Sequence, residues 1–153
     1  MNSQKIIISA CLLGDDVKYD GTNNSIHNDP LIQKLIELDM LIKICPEVEG
    51  GLPIPRPKSE IIGNKVQNIQ KIDVTQQFLL GAKKICEIAQ KNSVKIAILK
   101  SKSPSCGKDF VYDGGFSKVL VNGDGMSVRA LKKMGVKIFD ENELKKVEKI
   151  LFK

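Results

Sequence analysis

The sequence contains no tryptophan, and only 5% of its residues are aromatic. Proteins that bind single-stranded nucleic acids stack bases on aromatic side chains, so this scarcity argues against nucleic-acid binding despite a formal net charge of +6. The basic residues are also dispersed, and many alternate with acidic ones, as in residues 141–153. This pattern is typical of a solvated surface, and the positive excess favours an anionic ligand.

Long apolar runs are missing as well. The apolar runs, such as residues 6–8 and 96–99, are far shorter than the roughly 20 residues that a membrane-spanning helix needs. The N-terminus lacks a signal-peptide pattern, and there is no internal repeat, low-complexity tract or linker. With 153 residues, of which 42% are hydrophobic and 27% charged, we expect one soluble, cytoplasmic domain over residues 1–153.

No Cys-x-x-Cys pair occurs among the four cysteines, which are Cys11, Cys45, Cys86 and Cys106. Ferredoxin-type cluster motifs and zinc ribbons both contain such local pairs. A disulfide framework is not expected in a cytoplasmic chain of this size. Each thiol is therefore packed in the core, a ligand of a metal or cluster, or a nucleophile.

Short aliphatic runs predict the central strands, at residues 5–10, 41–44 and 94–99. Such runs are typical of strands that are buried on both faces. A helix from Asp29 to about Asp39 separates the first two runs, and a second helix beginning near Asp73 precedes the third. Strand–helix–strand units build parallel sheets. The sequence therefore predicts an α/β fold, a single three-layer Rossmann-like domain with a mainly parallel sheet.

Smaller elements follow from turn residues and helix caps. A rigid loop is expected directly after Cys45, and the three prolines between Gly50 and Ser59 exclude a helix there. The other predicted elements are a hairpin over residues 61–69, a hairpin over 111–116, a short helix that opens at Asp124 or Ser127 and runs through Met134, a strand over 136–139 and a last helix after Asp140.

Three of the four cysteines follow successive predicted strands. Cys11, Cys45 and Cys106 should lie at the carboxyl edge of the sheet, where open α/β sheets bind their ligands. Three thiolates suit either zinc or an iron–sulfur cluster, and they leave one coordination position open to substrate. The alternative is three inert, partly buried cysteines. Cys86 falls on the apolar face of a helix and is expected to pack in the core.

Polar groups suited to proton transfer surround the same edge: Tyr19, Asp20, Glu47, Glu49, Ser101, Ser103 and Ser105. Glu47 lies two residues beyond a candidate ligand, which suits a general base facing a bound molecule. The alternative is an exposed loop carboxylate beside serines that bond the local backbone. Arg56 is either an anion or carbonyl clamp or a surface arginine, and His27 is expected to be a surface or pre-helix residue and not a ligand.

Four motifs occur in order along the chain: residues 9–14 (SACLLG), 19–21 (YDG), 45–56 (CPEVEGGLPIPR) and 103–107 (SPSCG). In these motifs the chain resembles the thiouracil desulfidase family, long catalogued only as a domain of unknown function, from about residue 6 to residue 135. The resemblance implies a [4Fe-4S] cluster on Cys11, Cys45 and Cys106, with a fourth iron open to the substrate sulfur.

The resemblance also implies the course of the reaction. Glu47 would activate a water that attacks the ring carbon of a thiolated pyrimidine, and Ser103 would assist at the substrate. Sulfur would leave as hydrosulfide, without net redox change. The sequence departs from the family's usual pattern at residues 58–59 and 22–24, in loops expected to border the pocket, so these departures concern substrate identity.

The expected partner is a small-molecule thiolated pyrimidine, as a free base or nucleoside. We expect a monomer that binds no membrane and, without an additional domain, no nucleic acid. Two other functions remain open from the sequence. One is a Cys-ligated zinc hydrolase, and the other is a cluster-containing sensor or RNA-binding module.

Overall fold

A computed structural model describes residues 4–152 of the chain. Its elements are β1 (Ile6–Ser9), α1 (Pro30–Glu37), β2 (Leu41–Ile44), α2 (Pro46–Glu49), β3 (Ser59–Ile62), β4 (Lys65–Asn68), α3 (Thr75–Lys91), β5 (Ile96–Ile98), β6 (Phe110–Tyr112), β7 (Leu120–Asn122), α4 (Met126–Lys133), β8 (Lys137–Phe139) and α5 (Leu144–Leu151). A 3-10 turn over Ala10–Leu13 follows β1 directly. Within residues 4–152, no helix combines the length and apolar composition needed to cross a membrane.

The central sheet contains four parallel strands in the order β2-β1-β5-β8. All of β1 is buried, because helices cover both faces of the sheet. On one face Ile7 packs against residues of α3 and α4, among them Ile85 and Leu131. On the other face Ile8 packs against residues of α1 and α5, among them Leu35 and Val147. The predicted α/β fold with a mainly parallel sheet is confirmed.

The segment after Cys45 differs from the predicted loop, because residues 46–49 form the short helix α2. Pro46 occupies the first helical position, where its fixed φ suits a helix and its missing N–H costs nothing. The Glu49 N–H donates to the Cys45 carbonyl oxygen (3.0 Å), which closes the single turn. Beyond Gly50 the chain continues without helix or strand to β3, as the prolines predict.

Two glycines allow α2 to lie directly on the backbone of α3. A Cβ at Gly81 of α3 would lie 2.1 Å from the Pro46 carbonyl oxygen, and a Cβ at Gly50 would lie 2.0 Å from the Gln77 carbonyl oxygen. Any side chain at either position would push the two helices apart. The position of α2, and of the residues on it, therefore depends on this contact.

Two antiparallel hairpins accompany the sheet. Strands β3 and β4 confirm the hairpin predicted over residues 61–69. The second hairpin pairs β6 with β7 over Phe110–Asn122, so the prediction that it spans 111–116 is wrong. The reason is Glu60, whose Oε1 accepts hydrogen bonds from the N–H groups of Gly114 (2.9 Å) and Phe116 (3.1 Å). These residues are fastened to β3 instead of forming a returning strand.

The helix starts follow the predicted caps in part. Asp29 accepts a hydrogen bond from the Leu31 N–H (2.8 Å) at the start of α1, as predicted. Helix α4 begins after Gly125 rather than at Asp124 or Ser127. Its first N–H groups donate to a neighbouring loop, with Met126 N 2.8 Å from the Pro104 oxygen and Ser127 N 3.0 Å from the Ser105 oxygen. Tertiary contacts therefore replace a side-chain cap.

Candidate active site

A cavity of about 340 Å³ opens at the carboxyl edge of the sheet. The turns after β1, β2 and β5 form much of its lining, and β3 and the β6–β7 hairpin contribute the rest. Carboxyl edges of parallel sheets are the usual ligand sites of such folds. The lining includes Cys11, Cys45 and Cys106, together with Tyr19, Asn24, Glu47, Glu60, Ser101, Ser103 and Ser105.

The three cysteines reach the cavity from three different strand ends. Cys11 lies in the 3-10 turn after β1 and is half-buried. Cys45 precedes the first residue of α2 and is also half-buried. Cys106, in the turn after β5, is only 4% exposed. All three are free thiols, so they are available as ligands.

Burial opposes the charged form of each thiol. It raises the pKa of Cys11 and of Cys45, and it raises the pKa of Cys106 to about 12. Proximity acts in the same direction, because Cys45 also raises the pKa of Cys11 and both raise the pKa of Cys106. These thiols therefore stay protonated at neutral pH unless a cation replaces their protons, as a metal centre does.

The arrangement of the thiols is compatible with an iron–sulfur cluster. Among residues 4–152, no three side chains of His, Cys, Asp or Glu form a group that could hold one metal ion. The thiolates of an iron–sulfur cluster each bind a different iron atom, so they need not converge as closely as the ligands of one zinc ion. Three soft thiols around one cavity, of which Cys106 is buried and the other two half-buried, fit this larger group.

The turn that carries Cys106 is held tightly. Ser103 Oγ accepts hydrogen bonds from the N–H groups of Ser105 (3.1 Å) and Cys106 (3.0 Å). The start of α4 closes over the same turn, and a Cβ at Gly125 would lie 2.5 Å from the Ser105 oxygen. A Cβ at Gly107 would likewise lie 2.6 Å from the Ser103 oxygen. The thiol is therefore fixed by backbone on both sides.

Glu47, in the first turn of α2, places its carboxylate in the cavity. Its Oε1 accepts a hydrogen bond from Arg56 Nε (3.1 Å), and its Oε2 accepts one from Ser105 Oγ (2.9 Å). Ser105 Oγ lies 3.0 Å from Ser103 Oγ. The carboxylate is thus connected to Ser103 through one intervening hydroxyl, and it is neither a freely exposed carboxylate nor in direct contact with Ser103.

Arg56 is a buried residue, not the surface arginine that the sequence left open. Only 8% of it is exposed. Besides Glu47, its guanidinium donates to the carbonyl oxygens of Pro53 (3.2 Å) and Val17 (2.9 Å). Because its charge is paired with Glu47 and each of its three nitrogens makes one of these hydrogen bonds, its observed contacts position the carboxylate.

The other polar candidates divide into two groups. Tyr19 and Ser101 line the cavity, and Ser101 donates to Glu141 from both its N–H and its hydroxyl (2.8 Å each). Asp20 and Glu49 are exposed and do not line it. His27 is exposed as predicted, and Cys86 packs against the core on the α3 side of the sheet.

The sequence predicted that residues 22–24 border the pocket but gave Asn24 no role, and it gave none to Glu60 or Glu141. Asn24 Nδ2 lies 3.7 Å from Cys11 Sγ, Glu60 fastens the β6–β7 loop beside the cavity, and Glu141 holds the turn that begins at Lys100. Each makes its contact with a residue 13 to 56 positions away. No local pattern marks such a contact in a single sequence.

A sequence model of the 2-thiouracil desulfurase family matches residues 6–143. The chain belongs to this family. The chain is also 34% identical to the uncharacterized protein YbbK of Bacillus subtilis strain 168, in an alignment that covers 91% of this chain and 97% of YbbK. A solved structure, the [4Fe-4S]-dependent thiouracil desulfidase TudS, is 37% identical, with a TM-score of 0.94 over 97% of both chains.

These relationships confirm two predictions from the sequence. The family resemblance inferred from the four motifs is correct, and the α/β fold is that of TudS. Residues 6–143 include all three cavity cysteines and Glu47. The roles of individual side chains are a separate question, and the geometry of the cavity bears on it.

Proposed function

We propose that this protein is a [4Fe-4S]-dependent thiouracil desulfidase, one domain over residues 1–153, whose cluster is bound by Cys11, Cys45 and Cys106. The observation that carries the proposal is that three free thiols, one buried and two half-buried, line one cavity, each from a different strand end. Their burial disfavours free thiolates, so a cationic centre is the partner that stabilises them. Membership of the 2-thiouracil desulfurase family supports the same cofactor and substrate class.

In the reaction the ring carbon of a thiolated pyrimidine exchanges its sulfur for the oxygen of water. The thiocarbonyl becomes a carbonyl and hydrosulfide leaves, so no electrons are gained or lost overall. When bound, the cluster supplies an iron with no protein ligand, a soft Lewis acid for sulfur. The protein must then supply a base for the water, groups that hold the substrate, and a pocket of suitable size.

Glu47 is the base in this proposal. Its carboxylate lies in the cavity, and Arg56 and Ser105 fix one oxygen each. Each carboxylate oxygen has two acceptor sites, so both can bind these donors and still accept a water proton. A base held in one orientation beside its water acts without searching for the reactive geometry.

Ser103 is the second catalytic group in this proposal. When Ser105 donates to Glu47, the Ser105 oxygen is free to accept from Ser103, which gives a chain of hydroxyls from Ser103 to the carboxylate. Such a chain can carry a proton between Glu47 and the cavity. Because Ser103 also accepts two backbone hydrogen bonds, its oxygen is held at a fixed point of the cavity lining.

The substrate in this proposal is a small thiolated pyrimidine. A cavity of about 340 Å³ lies at the lower end of the range for small-molecule sites, and it opens to solvent at one end of the sheet. We further propose a cytoplasmic monomer, and the scarcity of aromatic residues supports a substrate other than nucleic acid. The zinc hydrolase and the sensor are rival functions that the first experiment separates.

The test is anaerobic purification and reconstitution, followed by metal analysis and a sulfide-release assay with 2-thiouracil, 4-thiouracil and thiouridines. We expect iron and acid-labile sulfide in the proportions of a [4Fe-4S] cluster, and hydrosulfide released with at least one thiolated pyrimidine. Colourless protein that holds zinc and no iron would indicate a zinc hydrolase. Salt-sensitive RNA binding without hydrosulfide release would indicate a sensor.

Cysteine variants test the ligand set. Cys11→Ala, Cys45→Ala and Cys106→Ala are each expected to lose most of the reconstituted iron. Cys86→Ala is the matched control, because Cys86 packs in the core and does not line the cavity, so it should retain the iron. Full iron in any of the first three variants, or loss of iron in Cys86→Ala, would contradict the assignment.

A further inference from the structure

Asn24 holds Cys11 by two hydrogen bonds. Its backbone N–H donates to the Cys11 carbonyl oxygen (3.0 Å), and its side-chain Nδ2 lies 3.7 Å from Cys11 Sγ, within the range of an N–H···S hydrogen bond. Asn24 is half-buried and lines the same cavity as the thiol. The amide is therefore placed beside one candidate cluster ligand by both parts of the residue.

The loop that carries Asn24 is fastened on both sides of it. The Ile26 N–H donates to the Leu12 carbonyl oxygen (2.8 Å). On the other side Asn23 Nδ2 donates to Asp16 Oδ1 (2.8 Å), and Asn23 Oδ1 accepts from the Ser25 N–H (3.0 Å). These bonds limit the movement of the Asn24 backbone. They therefore help to hold the Asn24 side chain close to Cys11 Sγ.

The chemistry of the sulfur decides which end of the amide faces it. A protonated thiol can donate to an amide oxygen, whereas a thiolate bound to iron has no hydrogen and can only accept. In the loaded protein the Asn24 NH₂ group must therefore be the end that faces Cys11.

We propose that Asn24 is a positioning residue that sets the reduction potential of the cluster through its hydrogen bond to Cys11. The inference rests on the proposed function, because it requires Cys11 to be a cluster ligand. Hydrogen bonds to the sulfurs are among the features that set the potentials of iron–sulfur clusters. A neutral donor withdraws charge from the thiolate, which stabilises the electron-rich reduced state more than the oxidised state.

The potential matters here although desulfuration transfers no electrons overall. A cluster with an iron open to solvent is exposed to oxidation. A lower reduction potential makes the cluster easier to oxidise. The Asn24 amide therefore keeps the cluster in its working oxidation state in this proposal. Its loss should lower the potential and hasten oxidation without removing any group that contacts the reacting ring carbon.

Asn24→Leu tests the proposal, because leucine has a similar size and no N–H donor. The variant is reconstituted anaerobically, its iron is counted, and its midpoint potential is measured by redox titration followed by electron paramagnetic resonance. The loss of cluster absorbance in air is recorded in parallel. We expect wild-type iron content, a more negative potential and severalfold faster bleaching.

Asn23→Leu is the matched control. It disturbs the same loop by removing the bonds to Asp16 and Ser25, but leaves the amide that faces Cys11 in place. We expect much smaller shifts of the potential and of the bleaching rate than in Asn24→Leu, because the Asn24 and Ile26 N–H groups still bind the carbonyl oxygens of Cys11 and Leu12. Equal shifts in the Asn23 and Asn24 variants would mean that loop distortion, and not the N–H···S bond, sets the potential, and would overturn the proposal.

Asn24→Asp is the second variant, since it keeps the shape and replaces the donor by a carboxylate. It should shift the potential further in the negative direction than Asn24→Leu does. An unchanged or higher potential in either Asn24 variant overturns the inference, and so does loss of iron from both, which would indicate a purely structural role. If Cys11→Ala retains the cluster, the proposed ligand set fails. If Cys11→Ala loses the cluster and Asn24→Leu keeps its potential, only this inference fails.

Discussion

Arg56 and Glu47 form an ion pair that is almost closed to solvent, with Arg56 Nε 3.1 Å from Glu47 Oε1 and side chains that are 4% and 13% exposed. A buried pair stabilises a protein only when further hydrogen bonds satisfy both partners. Here the guanidinium also binds the carbonyl oxygens of Val17 and Pro53, and Ser105 binds the other carboxylate oxygen. The pair therefore fastens the turns after β1, β2 and β5 around the cavity.

The first prediction concerns Arg56→Met, which removes the charge and the donors but keeps much of the side-chain volume. Breaking one side of a buried ion pair leaves an uncompensated charge, so we expect unfolding to require about 3 kcal/mol less. Turnover should fall by up to about 100-fold, because Glu47 loses one of the two contacts that orient it. Urea unfolding and sulfide release measure the two effects.

Arg129→Met is the control for this substitution. Arg129 is half-buried and donates to the carbonyl oxygens of Asp124 and Gly63, outside the cavity. Arg129→Met should lower the free energy of unfolding without affecting turnover per cluster.

A double-mutant cycle tests the ion pair directly. Arg56→Met combined with Glu47→Gln should lower the free energy of unfolding by at least about 0.5 kcal/mol less than the sum of the two single effects. Additive costs would show that the ion pair contributes no coupling.

The second prediction concerns Ser105→Ala. Ser105 Oγ is the only observed connection between Glu47 and Ser103 among the described hydrogen bonds, and the residue is 3% exposed. Its removal should leave the backbone bonds of Ser103 and the iron content unchanged, while turnover falls about 10- to 100-fold. Single-turnover sulfide release from equally loaded proteins measures the effect.

Ser127→Ala is the matched control for Ser105→Ala. Ser127 is equally buried, and its Oγ has no hydrogen-bond partner among the described residues. Removing an unsatisfied buried hydroxyl should be neutral or stabilising and should not affect turnover. If Ser105→Ala behaves like Ser127→Ala, the hydroxyl chain has no part in the reaction.

The parts of the site that sequence analysis predicted all depend on local patterns. The strands that precede Cys11 and Cys45 are short aliphatic runs, and strand ends fix where the following residue lies. The parts that it missed depend on contacts between distant segments. The sequence left open whether Arg56 is a surface residue, because its burial depends on a contact with Val17, 39 positions away.

The short helix α2 shows a second limit. Four residues are too few to show helical periodicity, and the glycines and prolines that follow favour a loop. Helix α2 is stabilised by its close packing against α3, which depends on the absence of side chains at Gly50 and Gly81. That reason for glycine is visible only when both helices are in place.

The third prediction follows from this packing of α2 against α3. In most helices Gly→Ala stabilises by about 1 kcal/mol, but at Gly81 the new Cβ would lie 2.1 Å from the Pro46 carbonyl oxygen. Helix α2 would have to move away, taking Cys45 and Glu47 with it. We expect Gly81→Ala to lower stability by about 3 kcal/mol and to reduce iron retention.

Lys83→Ala, at an exposed position of α3, is the control and should change stability by less than about 0.5 kcal/mol. A Gly81→Ala protein as stable as wild type would show that α2 is not held by this contact.

The fourth prediction concerns pH and lies outside the cavity, at Glu143. Its Oε1 accepts from Lys108 Nζ (2.7 Å) and its Oε2 from Lys146 Nζ (2.9 Å). Burial opposes the charge of Glu143, but these hydrogen bonds outweigh it and lower the pKa of Glu143 from 4.5 to about 2.

A carboxyl group whose pKa is lower in the folded protein than in the unfolded chain stabilises the fold at pH values above its unfolded pKa. This stabilisation is lost as the pH falls towards the folded pKa. The difference in unfolding free energy between wild type and Glu143→Gln should therefore be constant from pH 7 to about 5.5 and shrink as the pH falls from about 4.5 towards 2. Urea unfolding of cluster-free protein at several pH values measures it. In a Lys108→Met background the same substitution should have a smaller effect at pH 7, because the nearest of the two lysines is absent. A difference that stays constant down to pH 3 would contradict the lowered pKa.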